Sequence, residues 1–134
     1  MRAPILALLL VSAGLYAAAA PAHAQSTDLR FANPTRFMTQ TGEAIYADVC
    51  QGCHMPDAKG ATGAGTYPAL ANNPKLAAAA YPVLLVIKGH KGMPPFGSQL
   101  TDQQVAAVVN YVRTHFGNDY RDEVTAADAN AARH

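Results

Sequence analysis

Charge is scarce in this chain. Only 14% of its 134 residues are charged, and ten Lys and Arg stand against nine Asp and Glu. So even a balance offers nucleic acid no electrostatic footprint, and no such partner is expected. Cysteine is rarer still. Cys50 and Cys53 are the only two, too close in sequence to act as a structural staple and better suited to a redox pair or a cofactor. Internal repeats, strand-like alternation and a Gly-Lys-Ser/Thr phosphate loop are also missing, so Gly60, Gly63 and Gly65 read as plain loop. Apolar residues are not scarce. At 50% they exclude disorder for most of the chain, and the length suits one domain rather than a multidomain enzyme.

Much of that apolar content sits at the start. Met1-Arg2 leads into an uncharged, Leu-rich stretch, and Pro21 precedes Ala22-His23-Ala24, a small-x-small exit. This pattern predicts a signal peptide over residues 1–24, cleaved near Ala24, and therefore export to the periplasm. Left uncleaved, the same segment would be a membrane anchor. Cleavage leaves nine basic and nine acidic side chains in a domain small enough to gain from a bound cofactor.

The rest reads as all-α. Residues 25–38 form a polar arm, 39–117 the domain and 118–134 a polar, Ala-rich tail. A first helix is predicted from about Thr41, with Ile45 and Val49 on one face and Tyr46, Cys50 and Cys53 along another line. Asn73-Pro74 predicts an N-cap followed by proline at the first helical position, and Pro82 a second start for a short buried helix ending at Gly89. The last long helix has the clearest limits. Thr101 and Gln104 make a capping box, Leu100 and Val105 a hydrophobic staple, and Val105, Val108, Val109, Val112 and Phe116 recur at helical spacing before Gly117. Thr125 and Asp128 can cap one weak final helix.

The chemistry lies in Cys50-Gln51-Gly52-Cys53-His54. C-x-x-C-H is the signature of covalent c-type haem attachment. On a helical turn the two thiols and the imidazole share a face, so they converge on one flat group. The thiols can add to haem vinyl groups, and His54 can bind iron through Nε2 if its other nitrogen finds an acceptor. Two rivals use the same residues: a thioredoxin-like pair, which needs a βαβ setting, and a zinc site recruiting His90 or His115. The predicted export favours haem.

With these residues in view, the chain resembles bacterial monohaem class I cytochromes c from about Thr39 to Gly117. The matching pieces are Gly42-Glu43-Ala44-Ile45-Tyr46, Cys50-x-x-Cys53-His54, Tyr67-Pro68-Ala69-Leu70, Gly92-Met93-Pro94-Pro95-Phe96 and Tyr111-Val112. The resemblance implies crossing first and last helices, with covalent haem c in a loop-lined pocket. It implies that Gly42 permits the crossing, that Tyr46 packs on Tyr111-Val112, and that the Pro68 carbonyl meets Nδ1 of His54. Residues 118–133 are similar to tails of cytochromes paired with periplasmic dehydrogenases.

Met93 is the expected sixth ligand. It lies 39 residues after His54, with Gly89 and Gly92 before it and Pro94-Pro95 after it, a flexible approach and a stiff exit. Met55 adjoins His54, Met38 precedes the first helix, and His90 is the rival donor. Tyr67 and Phe96 are expected near the haem. Lys59, Lys88, His90 and Lys91 form either a solvated rim or a docking patch for an acidic partner.

The expected function is one-electron transfer through a single His54/Met93-ligated haem, from a periplasmic dehydrogenase to an oxidase or another cytochrome of the respiratory chain. The chain itself is then no enzyme. Alternatives are a tightly bound haem subunit of a quinoprotein or molybdenum dehydrogenase, a five-coordinate haem enzyme or gas-binding protein, and a thiol oxidoreductase.

Overall fold

The computed structural model describes residues 37–63 and 65–134. The predicted signal segment and the arm as far as residue 36 lie outside them. Thr41 starts the first helix as expected: its side-chain oxygen accepts the Ala44 amide at 3.2 Å, and Glu43 sits in the first turn. The helix is not regular, however. An α stretch, Gly42–Ile45, widens into a π turn, Tyr46–Cys50, and tightens again over Gln51–His54. The Gln51 amide donates to Tyr46 O, five residues back. One extra residue in the turn shifts the phase of the Cys50–His54 segment by about 100°. The single line drawn through Tyr46, Cys50 and Cys53 therefore does not hold: Tyr46 is buried, Cys50 partly buried and Cys53 exposed.

The long helix, Asp102–Thr114, opens on the capping box expected of Thr101 and Gln104. Gln104 is buried, and its amide also donates to Phe37 O at 2.8 Å and Thr39 O at 2.7 Å, tying down the chain ahead of the first helix. The helix stops before Phe116, contrary to the spacing. His115 is extended and Phe116 has φ +57°, a left-handed conformation. The periodicity misled because Phe116 still packs where a helical residue would, with its ring 4.9 Å from that of Tyr46 and 5.5 Å from that of Tyr111.

First and long helices meet at Gly42. A Cβ there would lie 2.2 Å from Ala107 O and 2.6 Å from the Tyr111 Cβ, so only a hydrogen fits. Tyr46 follows one turn on, its ring 5.8 Å from that of Tyr111. Ile45, Val83, Val105, Val108 and Val109 complete the centre of the core.

Between these helices, residues expected to be pure loop form a small antiparallel ribbon, Ala61–Thr62 paired with Thr66–Tyr67. Asn73 caps a 3₁₀ turn, Pro74–Ala77, by accepting the Lys75 amide at 3.0 Å. The helix expected from Pro82 starts two residues earlier, spanning Ala80–Lys88. Proline is tolerated there because first-turn amides have no partner within the helix.

The C-terminal stretch is polar in composition but firmly packed. Asn118 is buried, with Nδ2 donating to Leu70 O and Val112 O, both at 2.8 Å, and Oδ1 accepting the Asn73 amide at 2.9 Å. Asn110 exchanges two 2.8 Å hydrogen bonds with the Val124 backbone. Thr125 and Asp128 form the expected capping box for a last helix, Ala126–Ala131. Beyond it, Arg133 reaches Asp102 at 2.5 Å.

That ion pair makes the acid limb of stability testable. The Arg133 hydrogen bond, then that of Asn130, holds the Asp102 carboxyl below its ordinary range. The folded pKa is thus below the unfolded one, near 4. Its contribution is fully present above that value and is lost as pH falls through the lower, folded pKa. Asp102→Asn should therefore weaken the dependence of the unfolding midpoint on pH below about 4. Parallel acid profiles for the two proteins would count against it.

Candidate functional site

His54 closes the first helix, and its side chain is buried. Nδ1 stands 2.9 Å from the Pro68 carbonyl. A carbonyl only accepts, so Nδ1 carries the hydrogen, and in the neutral ring the lone pair is the one on Nε2. Gly60 makes this approach of Pro68 feasible: at φ +69°, a Cβ would come within 2.1 Å of Tyr67 O and 2.8 Å of the Pro68 carbonyl carbon. The helix end is held too. Met55 turns out of it at φ +67°, and the Tyr46 hydroxyl donates to Met55 O at 2.7 Å across the whole C-x-x-C-H segment. Burial first, then the nearby Cys50, Asp57 and Tyr111, pushes the Tyr46 phenol up to about 12, so it keeps its proton for that bond.

His54 opens onto a cleft of about 190 Å³ with an almost wholly apolar lining. Cys50, Pro68 and Met93 border the same cleft, from three different segments of the chain. Burial, with Cys53 adding a little, pushes the Cys50 thiol up to about 12, so it is a neutral thiol. Cys53 is exposed one turn away. Met93 is fixed by a two-way backbone bridge, His90 N–H to Met93 O at 3.0 Å and Met93 N–H to His90 O at 2.9 Å.

Two residues expected near the haem do not themselves border this cleft. Tyr67 faces solvent with 42% of its surface exposed, because its strand is part of the outer ribbon. Phe96 packs against the core, its amide bonded to Val86 O at 2.9 Å. In their place Leu70, Tyr81, Leu85, Val86, Val109 and Val112 form the walls. The spacing of Val109 and Val112 marks them only as part of a helix face. That one face serves both core and cleft is not visible in its spacing. Lys75 also lines the cleft, a charge that no local pattern places there.

The rival chemistries find little support among the described residues. No group of three or more His, Cys, Asp and Glu side chains comes together to hold a metal ion. His115 stacks on Tyr111, ring centroids 4.2 Å apart, and His90 is exposed. The strands present form a two-residue antiparallel ribbon, not a βαβ unit. No described helix is long and apolar enough to cross a membrane.

Comparison with known families decides the matter. The family model described as Cytochrome C oxidase, cbb3-type, subunit III matches residues 37–112, more than half the chain. The chain belongs to this cytochrome c family. It is an electron-transfer protein of the kind that carries haem c. Among curated proteins the cytochrome is similar to the gluconate 2-dehydrogenase cytochrome c subunit of Pantoea cypripedii, 36% identical over 107 residues that cover 71% of this chain and 24% of the relative. It is also similar to the fructose dehydrogenase cytochrome subunit of Gluconobacter japonicus, 36% identical over 66% of this chain and 21% of the relative. The cytochrome c subunit of the quinone alcohol dehydrogenase of Gluconacetobacter polyoxogenes is 33% identical over 69% of this chain and 22% of the relative. The cytochrome thus spans between a fifth and a quarter of the length of these relatives.

The residues present fit a haem. A flat, mostly apolar ring needs apolar walls, and the cleft has them. Its iron needs donors that can converge, and an imidazole with a free Nε2 and a thioether both border the cleft.

Proposed function

We propose that this cytochrome is an exported, class I, one-electron carrier with a single haem c, attached through Cys50 and Cys53 and ligated by His54 and Met93. The observation that carries the reading is the convergence of Cys50, His54 and Met93 on one apolar cleft, with His54 already oriented by Pro68. When bound, the haem supplies reversible one-electron chemistry. The protein's part is to hold, orient and insulate it. Pro68 fixes the His54 ring and raises its basicity as a donor. Met93 offers soft sulfur, which favours reduced iron more than a second imidazole would. Leu70, Leu85, Val86 and Val109 line the cleft with apolar surface, which would exclude water from a bound haem and so limit rearrangement when its charge changes.

Export is supported by the Met1–Ala24 pattern and by the haem motif itself, since c-type attachment takes place on the exported side of the membrane. A dehydrogenase as electron donor is supported by the relatives, which are named as cytochrome subunits of gluconate, fructose and alcohol dehydrogenases. Their names also favour a second reading, a bound haem subunit rather than a diffusing shuttle. Co-purification with a dehydrogenase would separate the two. The electron acceptor is proposed to be an oxidase or another cytochrome of the respiratory chain.

Mass spectrometry of the exported protein, made with the haem-attachment machinery present, should show a chain starting at Gln25, one added haem and no free thiol. Its ferric form should show the weak far-red absorption of sulfur–iron ligation. Met93→Ala should lose that band and bind carbon monoxide in the ferrous state. A native protein that lacks the band and already binds carbon monoxide would be a five-coordinate haem protein, and the carrier reading would fail.

A further inference from the structure

The Met93 loop leaves the helix Ala80–Lys88 at Gly89 and returns at Phe96-Gly97, whose amides bond back to Val86 O at 2.9 Å and Ile87 O at 3.2 Å. The last residues of the chain sit across both feet of this loop. At the entry foot, the Lys88 ammonium donates to Arg133 O. At the exit foot, the Arg133 guanidinium donates to Gly97 O and, at 2.9 Å, to Leu100 O, while Nε pairs with Asp102. One arginine thereby joins the two ends of the segment that carries Met93 to the start of the long helix. Gly97 is shaped for it, since a Cβ there would meet Ile87 O at 2.8 Å and Arg133 Nη1 at 3.4 Å. Arg133 is three-quarters buried, and its planar fork satisfies two carbonyls and a carboxylate at once, which a lysine cannot do. Residues 118–134 lie beyond the stretch matched by the family model.

We infer that Arg133 is a positioning residue for the sixth ligand: it pins both feet of the Met93 loop and so limits how often Met93 leaves the cleft. This rests on the proposed Met93 ligation for its effect on the haem, but the clasp can be tested independently. A segment fixed at both ends opens through rare local excursions, and removing one anchor raises their frequency without unfolding the rest.

Three variants of the haem-loaded full chain test it: Arg133→Ala, Arg133→Lys, and Ile45→Val, a core truncation on the first helix that leaves the clasp intact. Amide hydrogen exchange at His90 and Met93, the two amides of the loop bridge, should speed up at least about tenfold in Arg133→Ala and hold its native rate in Ile45→Val. Arg133→Lys should resemble the alanine variant, because the fork is lost although the charge is kept. Unchanged exchange in Arg133→Ala overturns the clasp. Equal acceleration at Val108 and Val109 of the long helix does so too, because it would mean general loosening. Imidazole, which must displace Met93 to reach ferric iron, should bind about tenfold faster to Arg133→Ala than to the native protein. An unaltered imidazole rate would refute the effect on ligation. If the native ferric protein lacks the sulfur–iron band, the ligation reading falls, while the exchange data still decide the clasp.

Discussion

Gly42→Ala is expected to destabilise the protein by at least about 3 kcal/mol, enough to remove a large share of the stability of a domain this size. Helix propensity alone predicts the opposite, a gain of at most about 1 kcal/mol for alanine over glycine. The tertiary contact outweighs it. The added carbon would sit 2.2 Å from the backbone oxygen of Ala107, which cannot rotate away as a side chain could. Relief requires the first helix to back away from the long one, and Tyr46 with its packing on Tyr111 and Phe116 would move with it. Denaturant unfolding followed by far-ultraviolet circular dichroism measures the loss. A midpoint equal to or above that of the native protein would show that the two helices do not meet as described.

Arg113→Met is expected to cost about 3 kcal/mol. The Arg113 side chain is completely buried, yet the sequence shows only an arginine on an amphipathic helix. Its Nε donates to Leu76 O at 2.9 Å, its Nη2 to Ala77 O at 3.3 Å and to the Asp122 carboxylate at 2.6 Å, and its Nη1 to Asp122 O. Methionine replaces the volume but leaves those carbonyls without a donor. Asp122 is 67% exposed and can be rehydrated, which keeps the loss at the low end of the range for broken buried pairs. Since Leu76 lines the cleft, the variant should also bind haem less rigidly. Arg113→Lys should fall between the two proteins, having the charge without the fork. A change below about 1 kcal/mol in Arg113→Met would mean that water already reaches these carbonyls.

Helix ends were the most legible part of the fold. The Thr101–Gln104 and Thr125–Asp128 boxes and the Asn73-Pro74 cap form where the sequence placed them, because capping is a contest among groups three residues apart. Signals that looked equally local failed where a distant partner took part. Phe116 has helical spacing but left-handed backbone, held by the aromatic cluster it joins. The π turn over Tyr46–Cys50 leaves no mark in the pattern at all. In the candidate site, His54 and Pro68 come together at 2.9 Å, whereas Tyr67 and Phe96 do not border the cleft that Pro68 and Met93 line.

The order of residues alone carries the chemistry on offer: two thiols and an imidazole within five residues, a thioether between glycine and proline, and helices with readable caps. Those features depend on neighbours a few bonds away, so a linear string carries them in full. Which apolar residues became cleft walls, why Gly42 must stay small, where Arg113 is buried and what Arg133 holds emerge only in three dimensions. Each of those depends on groups tens of residues apart meeting in space, and packing, unlike capping, has no fixed spacing along the chain.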